Sequence, residues 1–99
     1  MIHSIQGTLK AKHPAAVVID VGGVSLKASV SVPTADHLPD VGEKVELRTY
    51  LNVREDALEL YGFASEDGLA LFKMLIAVSK IGPKLAMGIL SGASPEEFK

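Results

Sequence analysis

The chain has no cysteine and no tryptophan. Without Cys there is no disulfide, no thiolate metal centre and no cysteine nucleophile, a composition that fits a reducing compartment. Aromatic residues are scarce, two Tyr and three Phe in 99 residues, which makes a thin platform for stacking single-stranded bases. A basic excess is missing too: ten Lys and Arg face twelve Asp and Glu, for a net charge of −2. Any contact with a polyanion must then rest on a local site rather than on the field of the whole molecule. No apolar run approaches the roughly 18 residues of a membrane span. The opening MIHSIQGTLKAKH alternates in character instead of forming a basic stretch followed by an apolar one. A cytoplasmic protein with no membrane partner is expected. A chain of this length buries only a modest core, one small domain or one domain and a fragment of another, so partners are expected.

What is present divides near Ala64 into two halves of different hydrophobic period. In the first half the period is two, with strand candidates Ile2 to Lys10, Ala16 to Val21, Val24 to Val32, Lys44 to Val53 and Ala57 to Phe63. Turn signals separate them: His13-Pro14, Gly22-Gly23, and Pro39-Asp40-Val41-Gly42. The run PTADHL, 33–38, has the composition of a helical turn. Short strands at this density favour a closed five-stranded barrel, because closure removes exposed edges. An OB-like barrel is the first choice and an SH3-like barrel the second.

After Ala64 the period becomes helical. Ser65 suits an N-cap, Glu66 and Asp67 suit the first turn, and Leu69, Phe72, Leu75 and Ile76 make one apolar face. That helix runs out at Val78-Ser79-Lys80. Pro83 then stands at a first helical position, and the second helix extends from Pro83 to Ser91 with Gly92 as its stop. Ser94-Pro95-Glu96-Glu97 announces a third helix two residues before the last position, as though 1–99 were the front of a longer chain. The reading is therefore mixed β then α, with a barrel domain over 1–64 and a helical segment over 65–99.

Two stretches carry chemistry. The string LIAVSKIGPKLAMGIL, 75–90, resembles a helix-hairpin-helix motif, with apolar positions at Leu75, Val78, Ile81, Ala86, Ile89 and Leu90. Such a hairpin presents backbone N–H groups and the positive end of a helix dipole to a phosphate oxygen. Ser79, Lys80, Ile81, Gly82 and Lys84 are the phosphate-contact candidates, and contacts of this kind ignore base sequence. An ordinary αα-hairpin with a solvated Lys84 fits the same string. The second stretch, LNVREDALELYGF at 51–63, sets Arg54, Glu55 and Asp56 between two strands with no Gly, Asn or Pro for the turn. On the residues alone a solvated hairpin tip explains it.

The whole chain resembles the N-terminal part of the RuvA family, the Holliday-junction-binding subunits of bacterial branch-migration machines. The carriers are the opening MI with Gly7, IDVGGV at 19–24, LPDVGEKVEL at 38–47, VREDALELYGF at 53–63, Leu71-Phe72, and GPKLAMGILSGASPEEF at 82–98. The resemblance implies an OB-like first domain and the first of two helix-hairpin-helix motifs. It further implies a homotetramer, or an octamer on DNA, that binds a four-way junction and works with a RuvB-type motor ATPase and a RuvC-type resolvase. Glu55 and Asp56 then fall on the acidic pin at the junction centre. The chain departs from the family in carrying Lys80 where glycine is common, His3, Ser4 and Gln6 where basic residues are usual, and Leu26 where an aromatic is often found.

Catalysis is not expected of this chain. There is no G-K-[ST] phosphate loop, no G-x-S-x-G and no Ser-His-Asp set. His3, His13 and His37 lie in unrelated contexts, so neither a metal nor another cofactor is expected. Two other readings remain open from the residues, a generic OB-type single-strand binder and an oligomerisation module.

Overall fold

A computed structural model describes residues 2–78 and 81–92. Strands β1 (Ser4–His13), β2 (Ala16–Val21), β3 (Val24–Ser29), β4 (Lys44–Val53) and β5 (Leu58–Phe63) close into a barrel of order β1-β2-β3-β5-β4. All neighbours are antiparallel except β3 and β5, which meet in parallel through Ser29 and Tyr61. This is the OB-like arrangement, and it leaves no long unpaired edge. Helix α1 (Val32–His37) sits between β3 and β4, and α2 (Glu66–Val78) and α3 (Pro83–Gly92) follow the barrel.

Closure depends on β1, which serves two partners in turn. Ser4 to Thr8 pair with β4, and Thr8 to His13 pair with β2. Gly7 lies at this crossing, where a Cβ would run into the carbonyl oxygen of Asp20. A register shift between Leu9 and Ala11 follows, leaving Lys10 as an extra residue. The bulge breaks the alternation, which explains why β1 continues to His13 rather than stopping at Lys10. The β2–β3 connection is a two-residue turn in which Gly22 and Gly23 take φ values of 64° and 99°, and Asp20 Oδ1 accepts a hydrogen bond from Gly23 N at 2.9 Å. Only glycine takes both angles without cost.

Strand β3 ends at Ser29, three residues before the sequence reading placed its end. Ser31 caps α1, its Oγ accepting from Thr34 N at 3.2 Å, and Pro33 supplies a helical φ in the first turn. The chain therefore leaves the sheet before Val32, and Ala35 of α1 is buried against the barrel core. That core consists of Ile5, Leu9, Val17, Ile19, Ala28, Val30, Val45 and Leu47 together with Ala35.

A second core joins the barrel to the helices. Leu60 packs on the barrel core, and a Cβ at Gly62 would meet Leu47 and Val30, whereas Tyr61 and Phe63 are packed with the helices. From Leu60 to Phe63, β5 is thus covered on both faces. Leu71 and Phe72 of α2 and Ala86, Met87 and Leu90 of α3 close over Tyr61 and Phe63. The Phe72 ring is fully buried, with centroids 4.9 Å from Phe63, 5.3 Å from Tyr50 and 5.5 Å from Tyr61. Ser65 begins α2 as expected, its Oγ accepting from Gly68 N. Leu71, which lay outside the expected apolar face, is buried. Val78, expected to pack in the hairpin, is 75% exposed. Gly92 closes the last turn of α3 rather than lying beyond it.

Candidate nucleic-acid interface

The stretch 51–63 is a β-hairpin with a two-residue tip. Arg54 N donates to Ala57 O at 2.8 Å and Ala57 N to Arg54 O at 3.4 Å, leaving Glu55 and Asp56 exposed at the apex. Beneath the tip the paired Val53 and Leu58 are themselves largely exposed. The tip is therefore held by its backbone ladder and side-chain contacts lower on the hairpin, not by burial.

Of the phosphate-contact candidates, Ile81, Gly82 and Lys84 lie at the start of α3. Ile81 is half-buried against the aromatic core, and Gly82 O accepts from Ala86 N at 3.0 Å. Pro83 has no N–H to leave unpaired, so the free donors of this helix end begin at Lys84. A Cβ on Gly82 would meet nothing within 4 Å, and its φ is not in the left-handed region. Neither this chain's packing nor its backbone therefore requires glycine there. The Lys84 side chain is 78% exposed. Ser79 and Lys80 lie outside the described residues, as does the announced helix at 94–97.

Glu59, which the sequence reading did not single out, ties these parts together. It stands opposite Asn52 across the β4–β5 ladder, and its side chain is only 21% exposed. Oε1 accepts from Asn52 Nδ2 at 3.2 Å and from the Tyr61 hydroxyl at 3.1 Å. Oε2 faces Arg54 Nη2 at 3.3 Å and Lys84 Nζ at 3.9 Å. The Asn52 hydrogen bond, then that of Tyr61 and the two cations, outweighs partial burial and holds the carboxyl below its ordinary range. Burial, and next the Glu59 hydrogen bond, pushes the Tyr61 phenol up to about 12. The acidic hairpin and the start of α3 thus share one ionised carboxylate. Its partners Tyr61, Arg54, Asn52 and Lys84 lie 2, 5, 7 and 25 residues away along the chain, and only the β4–β5 register and the approach of α3 bring all four to it.

The other candidates stay apart. His3 and Ser4 line a cleft of about 570 Å³ with Arg48, Lys73, Glu66 and Asp67, where charges of both signs meet. His37 Nδ1 lies 2.7 Å from Pro33 O, inside its own helix. Among the described residues there is no group of His, Asp and Glu able to hold a metal ion, and no helix long and apolar enough to cross a membrane.

The described residues thus form an OB-like barrel fused through an aromatic core to a helix pair, with an exposed lysine at a helix start. Residues 1–62 match the family described as the RuvA N terminal domain. The chain belongs to the RuvA family. It is 50% identical over 98 residues to the Holliday junction branch migration complex subunit RuvA of Solibacter usitatus, an alignment covering 99% of this chain and 50% of that protein. The subunits of the same name from Thiobacillus denitrificans and Chloroherpeton thalassium are 51% and 43% identical, over 99% and 100% of this chain and 51% and 50% of theirs. The chain spans about half the length of these curated relatives.

Proposed function

We propose that the chain is a non-catalytic DNA-binding part of a branch-migration subunit. It binds a four-way junction through its backbones, independently of sequence, and helps to hold it open for a motor ATPase in recombination and repair. The observation that carries this reading is that, in a chain of the RuvA family, an exposed acidic tip stands on a hairpin whose Arg54 shares one carboxylate, Glu59, with an exposed lysine at a helix start. Lys84, the start of α3 and the hairpin residues Ser79, Lys80, Ile81 and Gly82 draw a phosphate backbone in. Glu55 and Asp56 repel any backbone that moves towards them. At an effective dielectric of about 20, like charges about 4 Å apart repel by about 4 kcal/mol before screening. That is enough to steer a strand and too little to open many base pairs.

The proposal includes assembly as a homotetramer or octamer, cooperation with a RuvB-type motor and a RuvC-type resolvase, a cytoplasmic location, and a division of the chain into a barrel domain (1–64) and a helical segment (65–99). The single-strand alternative finds little support. Tyr50, Tyr61, Phe63 and Phe72 are engaged with one another, and these are all the aromatic residues among those described.

The test is the ratio of affinities for a four-way junction and a duplex of the same sequence, at one salt concentration. The parent should prefer the junction, and Glu55→Gln with Asp56→Asn should lower the ratio by raising duplex affinity. A parent that shows no junction preference would overturn the proposal.

A further inference from the structure

Lys84 is not a free cation in this structure, and its partner is unusually well equipped to let it go. Glu59 is anchored on β5 by two neutral donors on Oε1 and by Arg54 on Oε2. Lys84 shares Oε2 at 3.9 Å, the outer limit of an ion pair, from a side chain that is mostly solvent-exposed. If Lys84 swings away, the carboxylate keeps three of its four partners and remains satisfied. If Glu59 were to move instead, it would abandon Asn52, Tyr61 and Arg54 together. The lysine is the detachable member and the glutamate the fixed one.

From this geometry we infer that Glu59 is a positioning residue that holds Lys84 in reserve and competes with DNA phosphate for its ammonium group. The inference rests on the reading of Lys84 as a phosphate ligand. Two consequences follow from electrostatics. A lysine already paired with a carboxylate gives up part of that pairing when it takes a phosphate, so its net contribution to affinity is reduced. It also carries a weaker field before binding, so fewer counterions are released and Lys84 adds less than one full unit to the salt dependence. Glu59 therefore lowers the general attraction for any phosphate while leaving Lys84 in place at the start of α3.

The experiment is a fluorescence-anisotropy titration of labelled duplex and four-way junction with this chain, Glu59→Gln, Lys84→Ala and the double variant. Salt is varied from about 50 to 200 mM. Glu59→Gln should bind both DNAs about twofold to fivefold tighter, the range expected when a surface ion pair is released, with a log–log salt slope steeper by up to about one unit. In the Lys84→Ala background the same change should do nothing beyond twofold. An equal gain with alanine at 84 would mean that Glu59 acts as general negative charge and would overturn the inference, as would weaker binding by Glu59→Gln. If Lys84→Ala leaves affinity and slope unchanged in the parent, it is the phosphate reading of Lys84 that fails, and the inference falls with it. A measurement on the unmutated Glu59 guards against misfolding of that variant. The 13C resonance of its side-chain carboxyl should shift when duplex is added to the parent and stay still in Lys84→Ala; no shift in the parent refutes the exchange.

Discussion

Replacing Phe72 with Ala tests whether the helices are welded to the barrel. The ring is fully buried and meets Tyr50, Tyr61 and Phe63, the first edge-on with planes 64° apart and the others tilted by 33° and 49°. Those partners stand on β4 and β5, whose registers are fixed across six residue pairs, and α2 is tied at its start by the Ser65 cap. The site therefore has little freedom to collapse, so the cost should lie well within the usual 3–5 kcal/mol for Phe→Ala, at about 4 kcal/mol. Against a typical total of roughly 5–15 kcal/mol this is a large fraction, and it corresponds to a fall in Tm of roughly 15–30 °C for a domain of this size. Urea unfolding can be followed by far-UV circular dichroism and by tyrosine fluorescence. The absence of Trp makes the latter a direct reporter, because both tyrosines belong to the cluster. In the parent the two signals should fall together in one transition. A loss below about 1.5 kcal/mol, or separate transitions in the parent, would refute the idea of a shared core.

Gly7→Ala should be at least as disruptive to the barrel, because the new methyl group meets the backbone carbonyl of Asp20 rather than a side chain that can move; a melting temperature within a few degrees of the parent's would contradict the crossing geometry. Glu59 sits among Asn52, Arg54, Tyr61 and Lys84 with its carboxyl below the ordinary 4.5, so its stabilisation is present above pH 4.5 and is lost as pH falls through the lowered folded value. Melting curves against pH should show an acid limb that Glu59→Gln flattens. The Tyr61 phenol runs the other way: raised from 10 to about 12, it contributes below pH 10 and loses that contribution between pH 10 and about 12. Tyr61→Phe should flatten that alkaline limb, and an unchanged limb would refute the assignment. Neutralising Glu55 and Asp56 should leave stability within about 0.5 kcal/mol, since neither is packed against the core; urea unfolding of the double variant checks this.

How much of this could be read from the chain depended on whether the deciding contact was local. β4 was legible to the residue, and both helices following the barrel began where Ser65 and Pro83 indicated, because turn residues and caps act within three or four positions. The end of β1 was hidden by the bulge at Lys10, which breaks the period that sequence reading relies on. The end of β3 was hidden by the competing Ser31 cap. Four aromatic residues were visible as types, but their convergence on Phe72 requires the β4–β5 register and the approach of α2 together. Glu59 was the largest omission. In sequence it is one more acid in an alternating strand, and it becomes a hub only when β4, β5 and α3 bring it an amide, a phenol and two cations.

The same hub bears on how a chain with a net charge of −2 could grip DNA. Screening cuts off exposed charges beyond about 10 Å at 0.1 M salt, so the overall balance matters less than what lies within that radius of a phosphate. Arg54, next to the acidic tip, and Lys84, at the helix start, approach the same oxygen at 3.3 and 3.9 Å. The base of the repelling zone and the attracting lysine therefore lie within one screening length of each other, and a single DNA arm would feel both. In the proposed interface the tip and Lys84 should then not act additively. Removing the two tip charges should increase what Lys84 contributes to duplex affinity, and a double-mutant cycle across Glu55, Asp56 and Lys84 should return a coupling that fades as salt is raised. A coupling of zero at low salt would mean that the two zones act on different stretches of DNA.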